Sequence, residues 1–341
     1  MKKKQILIFK TDRIGDFINF SPCLRIIKSN IPDSEISVVC SSYNHQIIKN
    51  YKEIDKTIII EKNLIKDFIK IKKFTNKKFY DYFFQMDGNN NSYYLSLIIK
   101  SKVKSTIFFY KNKSFLFLKF KIIRPNFFLR KIFNNYEYCD EDYNNKINTH
   151  YQSLYFKLMS NLSFKITHKQ NIFYLDSFFK DKYEVISKYI PKKFILFHID
   201  DKSNILTSND KTKLINFILN LNKNRNLILT VGIGKIDIVN EISKIIKIVS
   251  YNDDLLEFNS INFNKILGIK DLPLNLLAYF LNYSELNISM HSGSVVHIST
   301  ALNKKLIDVL DAGKNNEIDR WIPVISSYQR INFDKLENFK I

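Results

Sequence analysis

The sequence predicts an α/β protein of two Rossmann-like halves, each built on a parallel sheet. Short apolar runs alternate with stretches of helical periodicity along the whole chain, the pattern of strand–helix crossovers. The alternation pauses near residues 176–193 and then resumes. The length of 341 residues is more than one hydrophobic core ordinarily serves, so two domains are expected.

In the first half, "QILIFK" (Gln5–Lys10) reads as a strand, and Phe17, Phe20, Leu24 and Ile27 set a helix over Phe17–Asn30 that Pro32 closes. "EISVVCS" (Glu35–Ser41) is the next strand, followed by a short helix through Tyr51. "KTIIIEK" (Lys56–Lys62) precedes a Lys-rich helix to about Lys77. "YDYFFQMD" (Tyr80–Asp87) and "STIFFY" (Ser105–Tyr110) are strands around a helix over Ser92–Ser101. The second half places strands at Phe194–Asp200, Asn226–Gly232, Lys247–Tyr251, Glu285–Met290 and Lys305–Leu310. Helices are expected over Lys211–Lys223, Asp237–Ile246, Pro273–Asn282 and Ser294–Leu302. This divides the chain into an N-terminal domain (1–175), a linker (176–193), a second domain (194–325) and a C-terminal tail (326–341).

Composition narrows the function classes. A hydrophobic share of 45% excludes a disordered chain. No uncharged apolar stretch approaches the roughly 18 residues of a spanning helix, and Lys10, Asp12 and Arg13 interrupt the run after Lys2–Lys4, so neither a spanning helix nor a signal peptide is expected. Three cysteines (Cys23, Cys40, Cys139) without metal spacing fit a reduced, cytoplasmic compartment. A formal net charge of +20 favours polyanionic neighbours: nucleic acid, anionic lipid or phosphorylated substrates.

Open α/β sheets bind ligands beyond the carboxyl ends of their strands, and two facing domains of this kind would form a cleft there. The first such turn, Thr11–Asp16, holds Gly15 and places Asp16 at or near a helix N-cap. From the turn alone, Asp16 reads either as a cap worth about 1 kcal/mol or as a general base. The matching turn of the second half, "SMHSGSVVH" (Ser289–His297), offers Ser292, Gly293 and Ser294 as a cradle for a diphosphate. His297 follows a turn later and, alone, reads as a structural histidine.

The two turns together resemble glycosyltransferase family 9, the heptosyltransferases. "KTDRIGDFINFSPCLRIIKSNIPDSEISVV" is similar to the family's amino-terminal strand, Gly-Asp turn and Pro-containing helix. "YDYFFQMDGNNNSYYLSLIIKSKVKSTIFF", "NTHYQSLYFKLMSNL" and "LNISMHSGSVVHISTALNKKLIDVLD" resemble later family segments in order along nearly the whole chain. The resemblance implies a GT-B fold, with a nucleotide-sugar between two Rossmann-like domains and an inverting reaction without cofactor or metal. It implies Asp16 as the base that activates an acceptor hydroxyl, and His291, Ser292, Gly293, Ser294 and His297 as the donor motif, with the nucleotide ADP-linked. Gly15 is read on the acceptor side, and Asp12 and Arg13 as turn or acceptor-side residues. His291 stands where the family usually has Asp, and Lys202 is the nearest basic counterpart of the family's Lys after the first strand of the second domain.

Other signals carry less. Asp140-Glu141-Asp142 spells a D-x-D in an Asn-rich stretch and reads as a solvated loop away from any strand end. "VGIGKID" lacks the Lys-Ser/Thr of a phosphate loop. Trp321 reads as packing. Between Gly88 and Tyr136 there is no acid, while Lys111, Lys113 and Arg124 interleave with Phe and Leu. That composition suits an anionic membrane surface, a lipid-linked glycan acceptor, or nucleic-acid phosphates, and half of the segment reads as ordinary core. With the resemblance, the expectation is a membrane-peripheral glycosyltransferase of the cytoplasmic face that acts on lipopolysaccharide core or a related lipid-linked glycan. No nucleic acid is expected as partner. The competing readings are a binding or scaffold protein with an eroded donor site and a basic nucleic-acid binder.

Overall fold

The computed structural model describes residues 3–61, 63–115, 118–140, 150–200, 208–223, 225–232, 236–244, 246, 248–251, 266–290, 292–310, 319–322 and 327–338. It divides into unit 1 (Met1–Tyr174 with Asn316–Trp321) and unit 2 (Leu175–Asn315 with Ile322–Ile341).

Unit 1 grows around β1 (Lys4–Phe9), whose apolar run is buried on both faces because helices cover both sides of a parallel sheet. β1 lies between β2 (Ser34–Ser41) and β4 (Tyr80–Gln85), and β2 pairs outward with β3 (Lys56–Ile60). Beyond β4 comes β5 (Ser101–Phe115), so the order β3-β2-β1-β4-β5 changes direction between β1 and β4. Helix α1 (Ile14–Asn30) is buried almost all round. Pro22 removes the N–H that would meet the carbonyl of Ile18, and the Ser21 hydroxyl donates to that carbonyl instead at 2.6 Å. Helices α2 (Ser42–Ile48) and α3 (Leu64–Thr75) complete the early crossovers.

α4 (Asn90–Leu95) and a single tight turn (Ser96–Ile98) replace the longer helix expected over Ser92–Ser101. β5 is 15 residues long where the sequence predicted a strand only over Ser105–Tyr110. Its first part pairs with β4; residues 105–110 pair with β7 (Asn135–Asp140), and Phe109–Phe115 pair antiparallel with β6 (Leu118–Arg124). The basic segment thus supplies sheet structure and the short helix α5 (Phe127–Arg130), which apolar periodicity did not separate from surface. Asp140 ends β7, so the D-x-D does begin at a strand end; Glu141 and Asp142 lie outside the described residues. α6 (Tyr151–Asn161) packs beside α1, with the Tyr155 ring edge-on to Phe20. Trp321 stacks on Tyr151 at 3.8 Å and its carbonyl accepts from Asn19, a packing role.

Unit 2 is a seven-stranded parallel sheet in the order β10-β11-β9-β8-β12-β13-β14. Its strands are β8 (Ile195–Ile199), β9 (Leu227–Val231), β10 (Ile248–Ser250), β11 (Ile266–Lys270), β12 (Leu286–Ser289), β13 (Leu306–Leu310) and β14 (Tyr328–Asn332). The expected linker carries α7 (Phe178–Ser187). α7 docks on α10 (Leu274–Tyr283) through Tyr183, whose ring stacks on Tyr283 at 4.7 Å. The tail read over 326–341 supplies β14, paired in parallel with β13. Helices α8 (Ser208–Asn222), α9 (Ile236–Ser243) and α11 (Gly293–Ala301) fill the remaining crossovers. The apolar core of this unit gathers Phe197, Leu214, Leu229, Ile288 and Val309. All three cysteines are buried, and none forms a disulfide.

Candidate active site

Each sheet reverses its strand order beside its first strand, and such a reversal opens a crevice at the carboxyl ends of the strands. In unit 1 that place lies between β1 and β4. The chain leaves β1 as Lys10-Thr11-Asp12 and leaves β4 as Met86-Asp87. The two exits are bonded together. Thr11 donates to Asp87 Oδ2 through its N–H at 3.0 Å and its hydroxyl at 2.6 Å. Ser92 donates to the same oxygen at 2.9 Å. Asp87 therefore acts as the brace of the turn.

Lys10 is fully buried, and its Nζ donates to Asp12 Oδ2 at 2.5 Å, the Met86 carbonyl at 2.9 Å and the Tyr155 hydroxyl at 3.0 Å. Three acceptors match the three protons of an ammonium group. Burial is the strongest single influence on Lys10 and pulls its pKa down. Asp12, Tyr155 and Asp16 together outweigh it, so the pKa is raised and the charge is kept. Asp12 Oδ1 is buried and accepts no hydrogen bond among the described residues.

Asp16 is not the N-cap. Arg13 holds that position, exposed and extended, and Asp16 is the third residue of α1. Its carboxylate reaches back to the Arg13 N–H at 3.4 Å, a long contact that leaves most of its acceptor capacity open. Burial raises the Asp16 pKa, opposed by Lys10 and by Arg13. Asp12 is raised in the same way, first by burial and then by Asp16 and Asp87, against Lys10. A carboxyl held above its ordinary range and half open is better suited to take up a proton than a free carboxylate. Gly15 sits buried inside the first turn of α1 rather than before it.

In unit 2 the order reverses between β8 and β12. β12 ends at Ser289, whose hydroxyl accepts the Ser292 N–H at 3.0 Å and turns the chain into α11. Ser292 is the buried N-cap, and the first-turn N–H groups of Gly293, Ser294 and Val295 lack intrahelical acceptors by construction. A Cβ on Gly293 would meet no atom within 4 Å, so packing within the described protein does not require a glycine there. His297 is buried in the second turn of α11. At the ends of β8 and β9, Asp200 lies against Gly232, where a Cβ would come within 3.0 Å of its Oδ1.

The structure thus groups Asp16 with Arg13 and Gly15, and separately Ser292, Gly293, Ser294 and His297. His291 and Lys202 lie outside the described residues. Lys111, Lys113 and Arg124 are not in the β1/β4 turn; they lie on the β5–β6 hairpin, opposite Ile122, Phe120 and Phe109. That hairpin continues past the carboxyl end of β4, where pairing stops at Gln85↔Thr106. Sequence reasoning missed Lys10, Tyr155 and Asp87. A lysine closing an apolar strand was a visible signal for the first; nothing local marked the other two. Among the described residues no group of three or more His, Cys, Asp or Glu is placed to hold a metal.

No protein-family model and no curated protein sequence matches the chain. Solved structures do. A glycosyl transferase family 9 protein from Veillonella parvula is similar with a TM-score of 0.72 and 14% identity, covering 99% of this chain and 89% of that one. The E. coli heptosyltransferase WaaC with ADP is similar with a TM-score of 0.63 and 13% identity, covering 96% and 93%. The E. coli ADP-heptose lps heptosyltransferase II is similar with a TM-score of 0.65 and 11% identity, covering 96% and 90%. The shared fold is GT-B, as the sequence resemblance implied.

Proposed function

We propose that this chain is an inverting glycosyltransferase that moves a heptose or related sugar from an ADP-linked nucleotide-sugar to a lipopolysaccharide core or another lipid-linked surface glycan. It works from the cytoplasm at the inner face of the cytoplasmic membrane. The observation that carries the reading is Asp16: a half-open carboxyl, raised by burial, at the strand-order reversal of unit 1. The GT-B fold supports it, since one structure similar to this chain holds ADP and another an ADP-2-deoxy-2-fluoro heptose.

In this reading the Asp16 carboxylate takes the proton of the acceptor hydroxyl. The freed oxygen attacks the anomeric carbon on the face opposite the diphosphate, the bond from that carbon to the diphosphate oxygen breaks, and the configuration inverts. The departing diphosphate gathers negative charge, which the first-turn N–H groups of α11 are oriented to receive. His291, His297 and Lys202 complete the donor side. No metal is required, so excess EDTA leaves turnover unchanged. Lys10 opposes burial at Asp16 and keeps the base form within reach. Arg13, Lys111, Lys113 and Arg124 serve the anionic acceptor.

The test is a thermal-shift screen with ADP, UDP and their sugars, followed by turnover of Asp16→Asn. A nucleotide that binds only the folded chain raises its melting temperature, by about 2.7 kcal/mol of stabilisation at a hundredfold excess over Kd. Asp16→Asn keeps that shift and loses turnover by about 10²–10⁴-fold, the usual weight of a general base. No stabilisation by any nucleotide would leave a binding protein on this fold, and unchanged turnover would remove Asp16 as the base.

A further inference from the structure

Helices α3, α4 and α5 cover one face of the unit 1 sheet. Ile71 of α3, Tyr93 and Leu95 of α4 and Leu129 of α5 share a single apolar cluster with Leu7, Phe9 and Phe83 of the strands. α3 packs beside α4, and the Tyr93 ring meets Phe133, just past α5, at 6.0 Å, so the three helices form one layer.

The outer side of that layer is unusual. In α3 only Asp67, Ile71 and Thr75 are buried, a narrow inward stripe. Leu64, Ile65, Phe68 and Ile69 are exposed, Ile65 by 74% and Ile69 by 62%. Their spacing places them on one arc of the helix. Leu97, after α4, is 53% exposed and Phe128 of α5 is 79% exposed, with Phe127 beside it. Buried Leu129 anchors α5, and Asn126 caps it by accepting the Leu129 N–H at 3.1 Å, which fixes Phe127 and Phe128 outward. A protein surface seldom gathers large apolar side chains this way without a partner.

The charge on the same layer has one sign. Residues 63–79 hold six lysines and one acid, Asp67. Asp67 faces inward and accepts the Glu61 N–H at 2.9 Å. α4 and α5 fall within the acid-free stretch between Gly88 and Tyr136. Ammonium groups lie beside the apolar rings, with Lys131 Nζ 4.5 Å from the Phe127 ring centroid. Apolar side chains on convex helices, interleaved with lysines whose stems can lie flat while their heads reach phosphates, are chemically complementary to an anionic lipid surface. Among the described residues no helix is long and apolar enough to cross a membrane.

We infer that the outer face of α3, α4 and α5 docks unit 1 on an anionic bilayer, with Ile65, Ile69 and Phe128 entering the interface and Lys66, Lys70 and Lys73 on the headgroups. This deepens the proposed function, since a lipid-linked acceptor lies at such a surface, and it rests on that reading for its purpose alone. The test is co-sedimentation of the full chain with vesicles of equal parts phosphatidylglycerol and phosphatidylcholine, and with phosphatidylcholine alone, without substrate. The chain binds the anionic vesicles and not the neutral ones. Ile65→Glu/Ile69→Glu and Phe128→Glu each lower the partition coefficient by about tenfold or more, and Lys70→Glu/Lys73→Glu does so most at low salt. Val185→Glu, at an exposed site of α7, and Asp16→Asn bind as the parent does. All substituted side chains are exposed or half-open, so melting curves should stay near the parent's. Parent-like binding by Ile65→Glu/Ile69→Glu, or no preference for anionic vesicles, overturns the inference. So does a parent dimer that this double variant splits without loss of vesicle binding. None of these results bears on Asp16, whose turnover is measured separately with a delipidated acceptor.

Discussion

The two sheets reverse their strand order in the same way, yet the two turns are made of opposite chemistry. The β1–α1 turn of unit 1 gathers ionisable groups: Lys10, Asp12 and Asp16, with Asp87 of the β4 exit bonded to Thr11 and Tyr155 accepting from Lys10. The β12–α11 turn of unit 2 is made of hydroxyls, a glycine and backbone N–H groups. In the first, burial raises the proton affinity of Asp12 and Asp16, which suits the proton transfer proposed for Asp16. The second offers fixed N–H dipoles, which suit the diphosphate proposed there without a proton to lose. One topology thus positions two different chemistries, and the side chains at the strand exits decide which.

The largest expected effect breaks the unit 1 side of this comparison. Asp16→Asn lowers kcat by about 10²–10⁴-fold while the donor Kd, read by calorimetry, stays within about twofold. Its stability runs the other way. A carboxyl whose folded pKa is raised contributes most below its unfolded value and gives that up as pH rises through the folded pKa. At neutral pH the asparagine variant should therefore melt no lower than the parent.

Next is Lys10→Met. It leaves Asp12 and Asp16 without their buried cation, and breaking such a pair costs about 3–5 kcal/mol. The double variant Lys10→Met/Asp12→Asn should recover much of that loss in chemical denaturation. Additive losses would show that the two residues act independently.

Gly293→Val tests the unit 2 side alone. No atom of the described residues lies within 4 Å of a Cβ placed there, so the melting temperature should hold. A diphosphate approaching the N–H groups would be obstructed, and donor affinity should fall about tenfold, or 1.4 kcal/mol. A matching fall in melting temperature would make Gly293 a packing residue instead.

The smallest effect is in the pH profile. With Asp16 as the proposed base and its pKa raised, the acid limb of kcat/KM should lie above the ordinary carboxylate range near 4. Arg13→Gln removes a cation that holds the Asp16 pKa down and should raise that limb further. A limb at the ordinary position would mean that water reaches Asp16 freely.

Much of this was written locally. The strands at Gln5–Lys10 and Phe194–Asp200 and the helix before Pro32 follow from apolar periodicity, which depends on neighbours within a turn or two. The failures were also local in cause. The 111–140 region mixes lysine with phenylalanine at no clean period, so β6, α5 and β7 were hidden in it. Asp16 was placed at or near the cap because the exact first helical residue was not visible; the structure begins α1 at Ile14 and sets Asp16 three residues past the cap, accepting from the Arg13 N–H. Asp12 had no role in the sequence because its partner Lys10 points inward, a fact of burial rather than spacing.

By itself the sequence determined two alternating stacks, the turns that end their key strands, and the residue types Asp16 and Ser292–Ser294 placed there. Only the tertiary structure decided what those residues meet. Tyr155 reaches Lys10 across 145 residues of chain, and Asn19 reaches Trp321 across 302. Contacts of that separation form when sheets and helices pack, and burial then sets the proton affinity of the carboxyls. Periodicity fixes where an element lies; only packing fixes which charges share its interior.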